Sequence, residues 1–391
     1  MKRLIFLCFV FNFVFAHSQD ELNNALSLVN KDSIYYNAQQ LESFQTRFSF
    51  ADNHKQVTNY LVERMNNYGF EVSIDSFYAD SCQVFKDSLF FSGWQYNISC
   101  LKRATRNLSY DTCVVIGAHY DCISNREGFL DYMHYAPGAD DNGSGVACLI
   151  ELARVWNEAI RNQNYNLRIE FFDCEEQNLT GSDHRMRSLS NPWKMNIIGM
   201  INLDMVGSDS TNTVAINYYD NCDLLTDVVS NSTNKYTDLN IRYTQDYIKR
   251  SDSWPFYSWG VPSVFITESD FSPYYHTLQD SAKNLNYPYM SKITKIAIGT
   301  LYELLNNFPK VSLTNAISPN INLFTSNNNL IIRTNNIELK HLAIIDILGN
   351  IIEEKAIYNQ RESISINNLK SGIYIVRITT KDNIYSTKII K

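Results

Sequence analysis

Five short segments of the chain carry residues able to do chemistry. They are His119-Tyr120-Asp121, Asp140-Asp141-Asn142 within the run Pro137 to Gly145, Glu175-Glu176, Leu203-Asp204-Met205, and Tyr274-Tyr275-His276-Thr277. Together they offer two histidines and at least four carboxylates. Zinc accepts imidazole nitrogen and carboxylate oxygen in one site. Two metals close together need one ligand able to bridge, and carboxylate is the natural choice. The adjacent pair Glu175-Glu176 suits a division of labour, one carboxylate holding metal and the other taking a proton as general base. Taken singly, each segment has a plainer explanation. A His-x-Asp at a strand end is commonly a hydrogen-bonded pair, two adjacent glutamates a solvated patch, Asp141 a helix N-cap, and His276 a surface histidine. The segments gain weight from their places, because all five fall at successive strand ends of one domain.

The elements that must hold them follow from the apolar pattern. His54 to Tyr68 spaces Val57, Leu61 and Met65 as a helix does, with Gly69 where a C-terminal cap belongs. Phe70 to Phe77 alternates like a strand, and Tyr96 to Leu101 and Thr112 to Ala118 are further strands. The last is nearly all apolar, which suits a parallel sheet buried on both faces. Gly145 to Ile160 reads as a helix, Leu167 to Cys174, Ile197 to Met205 and Pro262 to Ile266 as strands, and Tyr289 to Phe308 as a long amphipathic helix. Strands alternating with helices predict an α/β domain: a doubly wound, mostly parallel (mixed) sheet flanked by helices. Open sheets of this kind bind ligands beyond the carboxyl ends of their strands, where the five segments lie.

The chain has 391 residues, 45% of them hydrophobic and 19% charged, so it is long enough for a full enzyme core and too apolar to be disordered. Its 41 acidic and 34 basic residues give a formal charge of −7. That argues against a nucleic-acid or anionic-membrane partner, since both ask for a basic face. Met1-Lys2-Arg3 followed by an apolar run from Leu4 to Ala16 describes a secretory signal peptide over residues 1–18, with cleavage near Ser18–Gln19. No other stretch is long and apolar enough to span a membrane, so the mature chain is expected to be exported without an integral membrane segment. Seven cysteines follow the signal region, an odd number, and Cys82 with Cys100 is one candidate disulfide pair. There is no C-x-x-C pair to suggest a thiolate zinc site.

The order and local sequence of the five segments resemble the zinc aminopeptidases of metallopeptidase family twenty-eight, typified by bacterial leucyl aminopeptidases. The resemblance runs from about residue 33 to residue 308. It rests on Cys113-Val114-Val115-Ile116-Gly117 before His119-Tyr120-Asp121, on Ala136 to Gly145, on Cys174-Glu175-Glu176 with Gly181-Ser182, on Asn202-Leu203-Asp204-Met205, and on Tyr275-His276-Thr277-Leu278-Gln279-Asp280. It implies peptide substrates and two zinc ions bridged by Asp141. His119 and Asp204 would complete one site, and Glu176 and His276 the other. Glu175 would be the base that activates the attacking water, and Asp121 would orient His119 without touching metal. Tyr275 matches a position where some members polarise the scissile carbonyl. Arg250 to Phe256 also resembles a family segment, in which Asp252 braces the site. Glutaminyl cyclases use the same scaffold with a single zinc, and carboxypeptidase and dipeptidase relatives share the ligands. Asp140 to Gly145 looks like the aminopeptidase version of its loop, and Tyr275 stands where the cyclases carry tryptophan. A non-enzymatic surface-binding protein would predict gaps in the ligand set, and all five ligand positions carry competent residues.

Two aromatic stretches, Asp80 to Gly93 and Ser124 to Tyr135, lie beside these residues in sequence. They either wall a pocket for an N-terminal side chain or pack on the domain surface. After a polar linker at residues 312–319, the chain from residue 320 offers short strands: Asn329–Arg333, Leu342–Leu348, Asn350–Glu354, Ser363–Ile366, Gly372–Thr379 and Ile384–Ile390. That predicts a small C-terminal β-sandwich after a peptidase domain of residues 19–311. Residues 320–391 resemble the sorting domain of the type IX secretion system, through Leu342–Asn350, Ser371 to Ile378 and the ending Lys388-Ile389-Ile390-Lys391. The resemblance implies a partner in that secretion machinery and a secreted or cell-surface location reached through the periplasm. A plain accessory or carbohydrate-binding sandwich is the alternative.

Overall fold

The computed structural model describes residues 20–84, 89–105, 112–125, 131–189, 196–307, 321–326, 329–334, 338–346, 349–358, 361–370, 373–381 and 384–390. The expected signal peptide and linker lie outside these residues, as do Phe85, Phe129 and Leu130. The chain falls into two compact units that divide after Asn307.

The first unit is built on eight strands: β1 (Glu71–Gln83), β2 (Phe90–Lys102), β3 (Thr112–His119), β4 (Asn166–Phe172), β5 (Asn196–Leu203), β6 (Thr213–Tyr218), β7 (Asn240–Thr244) and β8 (Ser263–Glu268). Their order across the sheet is β1-β2-β4-β3-β5-β8-β6-β7. The four central strands, β4, β3, β5 and β8, run parallel. Antiparallel pairing joins β2 to β4 and β6 to β8, so the sheet is mixed. Every residue of β3 is buried, as expected of a strand covered on both faces. Helices Lys31–Glu42, His54–Asn67, Gly143–Ala159, Thr180–Leu189, Asp223–Tyr236, Ser253–Ser258 and Tyr287–Tyr302 cover the sheet.

Helix Gly143–Ala159 matters most for the site. Its first turn is capped by Asn142, whose side chain accepts the Gly145 N–H at 3.0 Å. A side chain at Gly145 would come within 2.6 Å of the Leu203 carbonyl at the end of β5. Only glycine allows that approach, and the approach sets the loop before the helix beside the residue after β5.

Three expectations change in detail. The segment Asp80 to Gly93 is mostly hairpin, because β1 continues to Gln83 and β2 starts at Phe90. Cys82 and Cys100 do not pair, and all seven described cysteines are free thiols. In the β1–β2 register Cys82 faces Phe91 and Cys100 faces Val72. Cys100 is nine residue steps along the strand from Phe91, roughly 30 Å at the rise of a strand. Finally, β6, β7 and four of the helices had not been read from the sequence.

The second unit holds a three-stranded sheet, β13-β10-β9, and a four-stranded sheet, β12-β11-β14-β15. The strands are β9 (Ile321–Ser326), β10 (Asn329–Thr334), β11 (Leu339–Asp346), β12 (Ile351–Ala356), β13 (Arg361–Ser365), β14 (Ile373–Thr380) and β15 (Ile384–Ile390). Residues of both sheets, among them Leu330, Ile332, Ile344, Ile364, Val376 and Ile378, share one apolar core. This is a β-sandwich. Among the described residues, no helix of the chain is long and apolar enough to cross a membrane.

Candidate active site

Each of the five segments leaves the carboxyl end of a parallel strand or a loop beside one. His119 is the last residue of β3, Glu175 and Glu176 follow β4, Asp204 follows β5, and His276 lies in the loop after β8. Asp141 lies in the loop that enters helix Gly143–Ala159. The structure gathers His119, Asp141 and Asp204 into one group, and Asp141, Glu176 and His276 into another. Within each group the ligand-type atoms all lie within 4.8 Å of one another.

Asp141 belongs to both groups, and its two oxygens point different ways. Oδ1 lies 3.2 Å from His119 Nε2, and Oδ2 lies 2.9 Å from His276 Nε2. His119 Nε2 is also 3.3 Å from Asp204 Oδ1, and His276 Nε2 is 3.1 Å from Glu176 Oε1. Two imidazoles and three carboxylates, with one carboxylate shared through both oxygens, form a donor set that fits zinc.

The surrounding polar atoms hold these side chains in place. Asp121 sits behind His119, its Oδ1 3.3 Å from Nδ1. The same carboxylate accepts the backbone N–H of Glu175 at 3.1 Å and of Glu176 at 3.2 Å. It therefore links the histidine to the turn that carries both glutamates. Ser251 donates to Asp204 Oδ2 and itself accepts from Asn202 Nδ2 at 2.6 Å. The ring of Tyr275 stacks on that of His276, with centroids 3.7 Å apart. Asp252 is fully buried, and the Ser182 side chain helps to hold its charge.

Electrostatics follow from burying this much charge. Burial pushes the Glu175 carboxyl well above its usual range, and the Glu176, Asp204 and Asp252 carboxylates add to the rise against the pull of His119. Burial and the Asp141 charge take Glu176 up to about 7 although His276 opposes them. Burial takes Asp252 up to about 7 as well. Burial disfavours the imidazolium of His276, but Glu176 and Asp141 outweigh it and raise the group to about 10. His119 is likewise raised, because Asp204, Glu175, Asp121 and Asp141 overcome its burial. The two histidines in turn hold Asp141 well below the carboxylate range, against the effect of burial. Burial and the same carboxylates keep the Tyr275 phenol firmly protonated. Protons thus occupy the place of a cation, and a metal entering must displace them.

Three residues at or next to these side chains have left-handed backbone. Cys174, just before Glu175, has φ 53°, Met205, just after Asp204, has φ 51°, and His276 itself has φ 57°. Non-glycine residues in this region cost on the order of 1–3 kcal/mol each and persist where the surroundings hold them. The two aromatic stretches meet beside this region: Phe91 and Tyr132 pack with Phe48, Phe50 and Met133, while Leu89, Phe90 and Trp94 are exposed.

Sequence reasoning missed several supporting residues. Arg47 carries no local pattern that marks it, and Ser251 and Asp280 lie within longer family-like segments that give neither of them a role. Their partners are distant in the chain, so only the fold reveals them.

An open mixed sheet whose parallel strands end in two histidines and shared carboxylates offers a donor set that fits a metal centre. The chain belongs to Peptidase family M28, which it matches over residues 97–301. Residues 320–391 match the Secretion system C-terminal sorting domain. A relative named leucine aminopeptidase 1, from Blastomyces gilchristii, is 29% identical over 304 residues, covering 74% of each chain. Among solved structures, a zinc aminopeptidase from Bacillus subtilis superposes with a TM-score of 0.60 at 16% identity, covering 72% of this chain and 96% of that one. A Bacteroides thetaiotaomicron glutaminyl cyclase bound to N-acetylhistamine superposes with a TM-score of 0.56 at 21% identity, covering 70% of this chain and 97% of that one. At these identities the two superpositions speak for the fold alone.

Proposed function

We propose that the first unit is a zinc-dependent aminopeptidase that removes N-terminal residues from peptides, and that residues 320–391 direct its export through a type IX secretion system. The observation that carries the catalytic reading is Asp141, which offers one oxygen to each of two histidine-bearing groups. That is the arrangement two metal ions require of a bridge. His119 and Asp204 would hold one zinc, Glu176 and His276 the other. The family match and the aminopeptidase relative support the choice of reaction, and the donor set supports zinc.

Zinc, when bound, would supply Lewis-acid polarisation of the peptide carbonyl and make a bound water acidic near neutral pH. The remaining work falls to side chains. Glu175 lies beside the ligands and does not need to hold metal; it accepts the proton of the attacking water and passes it to the leaving amine. Asp121 holds His119 by its other ring nitrogen and the glutamate turn by its N–H groups. Tyr275, kept protonated, can donate to the oxygen on which charge develops.

The division of the chain is part of the proposal: a signal peptide at residues 1–18, a peptidase domain at 19–311, a linker at 312–319 and a sorting domain at 320–391. Deleting residues 320–391 should leave active enzyme in the periplasm, and normal export without them would end the sorting role.

The catalytic test is mass spectrometry of peptides beginning with Leu, Lys, Glu and Gln after incubation with zinc-loaded protein. Stepwise loss of N-terminal residues is expected. Loss of ammonia confined to Gln-starting peptides would instead assign the protein to the cyclases, whose fold it shares.

A further inference from the structure

The loop that carries Asp141 is gripped from two sides by two buried residues, Arg47 and Asp280. Arg47 is fully buried, yet among the described residues no carboxylate pairs with it. Its guanidinium spends its hydrogens on main-chain carbonyls. Nη1 donates to Pro137 O at 2.8 Å and Nη2 to Gly138 O at 2.6 Å. Nε donates to Tyr120 O at 2.9 Å, next to His119. A buried cation without a counter-ion is costly unless such donors are all satisfied, and five hydrogens in a planar fork are what allow it.

Asp280 takes the other side. Its backbone carbonyl accepts Ala139 N–H at 3.0 Å, its Oδ1 accepts Asp140 N–H at 2.8 Å, and its Oδ2 accepts Asp141 N–H at 3.1 Å. Four residues of the loop are therefore held by two side chains, the carbonyls of 137 and 138 by Arg47 and the N–H groups of 140 and 141 by Asp280, with the Asp280 main chain holding 139 between them. Gly138 adds a constraint, since its φ is +49° and a side chain there would meet Cys122 Cβ at 2.4 Å. Each grip also reaches a second segment: Arg47 ties the loop to the end of β3 with His119, and Asp280 lies four residues after His276 in the same loop.

We infer that Arg47 and Asp280 act as a paired clamp that fixes where the two oxygens of Asp141 point, and so decides whether two metal ions are held or one. Both are positioning residues; neither touches substrate or metal. The inference rests on the reading of Asp141 as a bridging ligand. Because the two residues act through one loop, their losses should not add.

The test uses the full-length protein. Zinc per chain is measured after dialysis against a weak chelator for wild type, Asp280→Asn, Arg47→Lys, Arg47→Met and the Arg47→Met/Asp280→Asn double variant. Circular dichroism of the metal-free forms checks folding. Cobalt-loaded samples report magnetic coupling between the two sites by electron paramagnetic resonance. Arg185→Met is the control, because it breaks a buried pair with Glu170 at 2.9 Å away from the clamp and should lower stability without touching metal content. The expected result is a fall from two zinc ions towards one in Asp280→Asn and Arg47→Met, with at least tenfold weaker binding of the second ion and loss of magnetic coupling. Arg47→Lys should recover part of it, and the double variant should be no worse than the poorer single. If Arg47→Met does not fold, Arg47→Lys and Asp280→Asn decide alone. Variants that keep two ions at wild-type affinity, or an Arg185→Met variant that loses metal equally, would overturn the clamp. Wild type that binds fewer than two ions would overturn the bridging reading itself, a result visible without any variant.

Discussion

The two units bury very different things. In the C-terminal sandwich the core is Ile, Leu and Val with Tyr374, and Thr380 is the one buried polar side chain among the described residues. In the first unit Asp121, Asp141, Asp204, Asp252, Asp280, His119, His276 and Arg47 are all buried. Burying a charge costs free energy that an apolar side chain would not. A sandwich that needs only to be folded and recognised avoids the cost. A unit that, on the proposed function, holds cations and moves a proton accepts it, and spreads it over carboxylates, histidines and backbone groups that satisfy one another.

The largest test of that contrast is Glu175→Gln. It removes the ionisable carboxyl without changing shape, so zinc content by elemental analysis should stay at the wild-type value while kcat falls about 10³-fold. Full activity would remove Glu175 from the mechanism. His276→Ala should act through metal instead, lowering zinc per chain along with activity; unchanged zinc content would mean His276 is no ligand. On the other side of the contrast, Ile344→Ala, in the fully buried sandwich core, should cost about 2–5 kcal/mol of that unit's stability in denaturant unfolding. It should leave kcat on peptides unchanged.

A smaller effect separates the units by pH. In the metal-free protein Glu175, Glu176, Asp252, His119 and His276 all have raised pKa values, with Glu176 and Asp252 at about 7 and His276 at about 10. A raised folded value gives stability that is present below the unfolded pKa and lost as pH rises through the folded one. The melting temperature of the metal-free first unit should therefore fall between pH 6 and 8. Zinc binding must expel the same protons, so zinc affinity should rise over that range, and calorimetry in buffers of different ionisation enthalpy should register their release. The sandwich transition should stay nearly level. The smallest change expected is Lys355→Ala, which breaks a 3.5 Å pair between half-exposed Lys355 and Glu362 and should shift sandwich stability by less than about 1 kcal/mol.

The sequence made the middle of the molecule plain and its flanks obscure, for physical reasons. Strands β3 and β5 are apolar runs because both faces are covered, so their ends, and the residues at those ends, can be read directly. Strand β7 is largely exposed and shows no alternation, and helix Asp223–Tyr236 is rich in Ser, Thr and Asn, some buried through hydrogen bonds to the preceding turn. Strand β7 therefore yields no period, and in the helix the apolar spacing of Leu225 and Val229 gives way to Ser230 and Thr233 on the buried face. In the hairpin strand that begins at Phe90, Phe90 and Trp94 are exposed, so its aromatic residues do not mark a buried face. In the site, the side chains grouped around Asp141 lie in compact local motifs. Their fasteners do not: Arg47 is one arginine among ordinary residues, and what it does depends on carbonyls of two remote loops.

The spread of the site along the chain has a consequence in time. The group of Asp141, Glu176 and His276 draws on three segments, and the last of them, with Asp280 just behind it, comes near the end of the first unit. A chain being synthesised or threaded across a membrane has His119, Asp141, Glu176 and Asp204 long before it has His276. Until that histidine arrives the second group has no imidazole and the Asp141 loop lacks one of its two grips. Completion of the hydrolytic centre is thereby tied to completion of the domain, and an unfinished chain carries no finished blade.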